Sequence, residues 1–178
     1  MLRQAVPDDA LLKTYRGGVR PEFWGAYGDC FAVSVDRIVS LTDFVFAFYT
    51  SPVFRIERMI LRVFLRARST DGQARAVAEG SKASFAVWYV GKRTATQLLM
   101  CDRYGRTRSW FRVVPLDGGR TLLQFGSAIA AARVGQTGAR SISKAFPLLL
   151  HFHVLYSQVL LHSAKHGVER TPSTGSAL

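Results

Sequence analysis

The segment "SKAFPLLLHFHVLYSQVLLHSAKHG", residues 143–167, limits the fold more than any other part of the chain. Its spacing predicts a long helix from about Ser143 to His166. Pro147 falls in the first turn, where a missing N–H costs least, and Gly167 is the expected stop. Advancing each residue by about 100° gathers His151, Gln158, His162 and Lys165 into one polar stripe about 60° wide. Nearly all the remaining circumference is apolar, from Leu148 through Val154, Leu155 and Val159 to Leu161. A helix with so narrow a wet edge has to be enclosed by the rest of the protein.

The preceding chain is suited to supply that enclosure. "YGDCFAVSV" (27–35) has the pattern of a strand. Ser40, with Asp43 three residues on, caps a helix through "FVFAFYT", and Ser51 before Pro52 opens a second helix running to about residue 67. "STDGQ" (69–73) breaks the pattern. Four strands follow, in "SKASFAVWYV", "TATQLLMC", "TRSWFRVVPL" and "RTLLQFGSAIAA", joined by Gly- and Asp-containing turns, as in an antiparallel meander. "ARAVAEG" is a candidate for one more strand. The loop "RVGQTGARS" leads into the final helix. Weak periodicity and Gly17, Gly18 and Pro21 make residues 1–22 a flexible arm, and residues 169–178 a disordered tail, around one domain at 23–168.

The order strand, two helices, meander, long helix predicts an α+β fold with the last helix across one sheet face. Over about residues 26–167 it resembles the START-like, or SRPBCC, helix-grip superfamily, in which a curved antiparallel sheet wraps a long C-terminal helix and two shorter helices follow the first strand. That resemblance implies a cavity between sheet and helix holding a small apolar molecule such as a lipid or polyketide. In some members it implies cyclase- or hydrolase-like chemistry.

The four histidines, all within the final helix, are the obvious titratable candidates. His151 and His162 are eleven residues apart, roughly 16 Å along the axis, too far to share an ion. His162 and His166 have the i, i+4 spacing of zinc helices, but no carboxylate or cysteine completes a set, and imidazoles at a helix C-terminus are favourable in themselves. No metal and no cofactor are expected. His153 points into the apolar arc with Tyr156 adjacent. One expectation bonds it to Ser157 or a strand backbone group; the other has it line the cavity as ligand contact, acid or base. The aromatic residues Trp88, Tyr89, Trp110, Phe125 and Phe152 are the large side chains assigned to that cavity. Arg108 or Arg112 would match an acidic ligand head if their sheet face looks inward.

A net charge of +12 on 178 residues favours anionic partners. Arg55, Arg58, Arg62 and Arg66 form a basic stripe on the second helix, with Ile56, Met59, Ile60, Val63 and Phe64 on the inward side and Glu57 neutralising part of it. Such a stripe is either a solvated face or a weak contact for anionic membrane. Arg106, Arg108, Trp110 and Arg112 share one strand face, which would also describe a stacking surface for single-stranded nucleic acid, although no nucleic-acid-binding motif accompanies it. Cys30 and Cys101, without a CxxC or an apolar leader, suit reduced thiols in the cytoplasm. The leading expectation is therefore a cytoplasmic domain that binds a small hydrophobic ligand, with His153 as first candidate for chemistry. The alternative is a basic interaction protein that docks on membrane or nucleic acid without a cavity.

Overall fold

The computed structural model describes residues 1–15, 27–66, 69–104, 107–129 and 146–170. Its elements are β1 (Leu2–Arg3), α1 (Leu11–Thr14), β2 (Tyr27–Val35), α2 (Leu41–Thr50), α3 (Pro52–Leu65) and α4 (Asp71–Glu79). They continue with β3 (Ser84–Phe85), β4 (Trp88–Arg93), β5 (Gln97–Asp102), β6 (Thr107–Leu116), β7 (Arg120–Ile129) and α5 (Phe146–Arg170). The architecture is α+β: the seven strands form one open antiparallel sheet in the order β1-β2-β7-β6-β5-β4-β3, with a long helix at the C-terminal end. The loop "RVGQTGARS", residues 16–26, Arg106 and residues 171–178 lie outside the described residues, as do the side chains of Phe64, His151 and Phe152.

Local chemistry accounts for most boundaries. Ser40 Oγ accepts from Asp43 N at 3.1 Å and starts α2; Ser51 Oγ accepts from Phe54 N at 3.2 Å and, with Pro52 behind it, starts α3. In the "DGG" turn Gly118 and Gly119 have φ of +74° and +72°, a region that favours glycine, so β6 can fold back on β7. Ala86, at φ +51°, separates β3 from β4 inside what the sequence pattern shows as one strand.

Strand alternation sorts the sheet into two faces. Phe31, Phe111, Phe125, Leu98 and Met100 belong to the larger core. Phe48 of α2 meets Phe125 and Phe111 there at ring-centroid distances of 4.7 and 4.8 Å. α5 packs on β2 and β7 and beside α2 and α3, and the apolar side of its C-terminal half (Leu160, Leu161, Ala164, Val168) is buried in this core. The opposite face carries Trp110, Leu99, Cys30 and Cys101 beneath Ala10 and Leu11. Gln97 secures that second layer: its Oε1 accepts from Leu11 N at 3.0 Å and from Trp110 Nε1 at 2.8 Å.

Five expectations are corrected. Residues 1–15 are not a loose arm, because Leu2–Arg3 pairs with β2 and Ala10 and Leu11 are buried on the second face. "STDGQARAVAE" is neither a break nor a strand: Thr70 and Gln73 form a capping box, and Ala74, Val77 and Ala78 are the buried side of α4. Gly167 does not stop α5, which runs on through Glu169 and Arg170. It sits inside the helix where an added Cβ would come within 3.1 Å of Ala47 Cβ, so its bareness lets α5 approach α2. α3 lies the other way round from the expectation, with Phe54, Glu57 and Leu61 turned inward and Ile56, Met59, Ile60 and Val63 exposed. Glu57 accordingly does not neutralise the arginine stripe; Asp71 of α4 does, at 2.6 Å from Arg55 and 2.5 Å from Arg58.

Candidate functional site

Three polar side chains from three elements meet under the N-terminal half of α5. Asp29 and Ser127 are register partners on β2 and β7. In phase with Phe31 and Phe125, they face the same side of the sheet as the larger core. Asp29 Oδ1 accepts from Ser127 Oγ at 2.6 Å and from Ser127 N at 3.2 Å. His153 comes down from α5 and places Nε2 2.6 Å from Ser127 Oγ and 3.9 Å from Asp29 Oδ2. The Asp29 side chain is 0% exposed and that of His153 23%, so the cluster runs from a closed end to an accessible one. Asp29 Oδ2 is buried without a hydrogen-bond donor among the described residues.

Ser127 Oγ donates to Asp29 Oδ1 and also meets His153 Nε2, in a hydrogen bond whose direction follows the imidazole tautomer. Burial holds the His153 pKa below the ordinary histidine value, with the charge of Asp29 working in the opposite direction.

A second polar pair lies one turn along the same helix, about 4.5 Å further down the axis. Tyr156 of α5 donates its hydroxyl to Glu57 Oε2 of α3. Burial raises the Glu57 carboxyl pKa, and the bond from Tyr156 moderates the rise. Tyr156 is itself pushed up by burial and by the charge and hydrogen bonding of Glu57, which makes it a persistent donor.

The structure places eight of the nine expected ligand residues, the side chain of Phe152 lying outside the described residues. His153 and Tyr156 stand at this site. Phe125 is 3% exposed within the aromatic core, and Trp88 packs at its edge, 5.6 Å from Phe54. Tyr89, Arg108, Trp110 and Arg112 are on the opposite sheet face. Trp110 is 0% exposed there, so it cannot stack a base, and Arg108 is buried with Nη1 donating to Tyr15 O at 3.3 Å. Arg112 pairs with Asp9 at 2.9 Å. The partner of His153 is Ser127, neither Ser157 nor a strand backbone group.

His162 and His166 lie at the far end of α5, edge to face, with Nε2 atoms 3.0 Å apart. Glu169 sits 3.4 Å from His166 Nδ1, a neighbouring carboxylate that the spacing argument overlooked. Among the described residues no group of three or more His, Cys, Asp or Glu side chains is placed to hold a metal ion.

Sequence reasoning missed Asp29, Ser127 and Glu57. Each shows itself by phase: Asp29 alternates with Phe31 and Val33, Ser127 with Leu123 and Phe125, and Glu57 is three residues from Phe54 and four from Leu61. A charged or hydroxyl residue in register with a core stripe is the signal.

Comparison of the chain with models of known protein families, with curated proteins and with solved structures gave no match in any of the three. Among the described residues no helix is long and apolar enough to cross a membrane.

Proposed function

We propose that this chain is a START-like, helix-grip domain of the reducing cytoplasm that binds a small apolar molecule between the sheet and the N-terminal half of α5. The observation that carries the reading is the buried Asp29 Oδ2, which lacks a donor among the described residues at the base of a cluster that opens through His153. A buried acceptor without a partner costs on the order of 1–3 kcal/mol, and a ligand donor recovers that cost. The element order and the two free, buried thiols of Cys30 and Cys101 agree with the proposed class and compartment.

The ligand chemistry differs from the acidic head expected earlier. Among the described residues, the carboxylates Asp29 and Glu57 bond to Ser127 and to Tyr156 beside α5, while Arg108 and Arg112 are on the other side of the sheet. A hydroxyl or amine donor on an aliphatic or polycyclic body fits; a carboxylate is repelled. Burial of the body supplies affinity at roughly 25 cal/mol per Å² before ordering costs. His153 Nδ1 and the Tyr156 hydroxyl set the orientation.

Titration calorimetry with a fatty alcohol and the fatty acid of equal chain length tests this. The alcohol should bind and the acid should bind at least about tenfold more weakly, with Asp29→Asn reducing the difference. Equal binding of both, or of neither, would remove the proposal.

A further inference from the structure

Soluble faces seldom leave four large apolar side chains in one exposed row, yet α3 does so. Ile56, Met59, Ile60 and Val63 are 58%, 60%, 48% and 67% exposed. Their spacing of i, i+3, i+4 and i+7 makes one stripe about 100° wide along the helix. α5, which packs beside α3, adds Leu155 at 59% and Val159 at 42%. Arg55, Arg62 and Arg66 are exposed in a row along one flank of the stripe. Arg55 is shared with Asp71, whereas Arg62 and Arg66 have no ion pair among the described residues.

We propose that α3 is an interfacial docking helix that lays Ile56, Met59, Ile60 and Val63 into the acyl boundary of an anionic bilayer, with Arg55, Arg62 and Arg66 at the lipid phosphates. Apolar area and same-sign charge on adjoining strips of one helix are what such a surface attracts. A net charge of +12 adds a favourable long-range field. A second copy of the chain is the poorer occupant. A two-fold interface through this face would oppose the arginine row to itself, with no acidic patch on α3 to receive it, since Glu57 is turned inward onto Tyr156. This surface stands independently of whether a ligand lies beneath α5.

The test is co-sedimentation with phosphatidylcholine vesicles with and without about 30 mol % phosphatidylserine, together with light scattering of the free protein. The unaltered protein should bind the anionic vesicles, release with added salt, and be monomeric in solution. Ile60→Asp/Val63→Asp should lower partitioning by about 100-fold, given the area each side chain would bury. Both positions are exposed, so its melting temperature should stay at that of the parent, which separates lost docking from lost folding. Arg62→Glu/Arg66→Glu should lower binding to anionic vesicles at least about tenfold and leave the weak binding to neutral vesicles as it was. No vesicle binding, equal binding to neutral vesicles, or variants that bind like the parent would overturn the proposal. So would a dimer that Ile60→Asp/Val63→Asp dissociates, which would assign the stripe to a second copy.

Discussion

Replacing Ser127 by alanine removes one oxygen atom from a position where two buried groups depend on it. In the parent, Ser127 Oγ lies 2.6 Å from both Asp29 Oδ1 and His153 Nε2. Without it, Ser127 N, at 3.2 Å, is the one donor the fully buried Asp29 side chain keeps among the described residues, and the imidazole nitrogen loses its partner. A hydrogen bond to a charged acceptor contributes about 1.5–3 kcal/mol, and an unsatisfied buried donor costs about 1–3. The two share one hydroxyl and do not simply add, so Ser127→Ala should destabilise by about 2–4 kcal/mol. For a chain of this size that corresponds to a drop in Tm of about 5–15 °C. Urea unfolding followed by far-ultraviolet circular dichroism would measure it, as a lower midpoint with an unchanged slope. A loss below about 0.5 kcal/mol, the range of ordinary surface substitutions, would refute the reasoning. The three side chains would then be solvated and not a closed cluster.

Other expectations rest on the same geometry. Because burial lowers the His153 pKa, the unfolded chain binds the proton more readily; stability should be full above about pH 6.5 and fall as pH drops below it. His153→Phe should flatten that part of a plot of urea midpoint against pH, and an unaltered slope would place the titration elsewhere. Glu57 has the opposite sign. Its raised pKa contributes stability below about pH 4.5 that is lost as pH rises through the folded value, so Glu57→Gln should raise Tm at pH 7.5 and lose the advantage at pH 4. A variant less stable at pH 7.5 would contradict this. Gly126→Ala would put a Cβ 2.9 Å from both Asp29 O and Trp110 Cε3 and 3.3 Å from Leu12 Cδ2. Overpacking of about 1–3 kcal/mol and altered Trp110 fluorescence should follow; a neutral result would mean the two layers can separate there.

The elements visible in the sequence are those whose signals are local. "YGDCFAVSV", the Ser40 and Ser51 caps, Pro52 and the "DGG" turn each act over a few residues, and each boundary falls where those residues place it. Elements defined by distant partners were hidden. Residues 1–15 show no period because Leu2–Arg3 joins the sheet by strand pairing with β2, whereas Ala10 and Leu11 are the residues that pack on its second face. In α4 the inward residues are Ala74, Val77 and Ala78, too small for a strong apolar pattern, and Gly72 in the first turn imitates a break. The amphipathic pattern of α3 reveals its stripe but not which side is wet, since a core helix and an interfacial helix share the same periodicity. At the site, the direction of His153 follows from helical geometry alone, and Tyr156 beside it was legible for the same reason. Arg108, Trp110 and Arg112 lie on the sheet face away from α5, a placement hidden in the sequence because alternation separates two faces without saying which of them α5 covers.

Native mass spectrometry of the protein taken from cells in volatile, detergent-free buffer tests most directly whether a guest molecule lies beneath α5. A mass above that of the 19.8 kDa chain is predicted, from one bound apolar molecule of a few hundred daltons (about the size such pockets hold) that is shed on denaturation and depleted in Asp29→Asn. The bare chain mass under native conditions, unchanged after exposure to fatty alcohols, would contradict it.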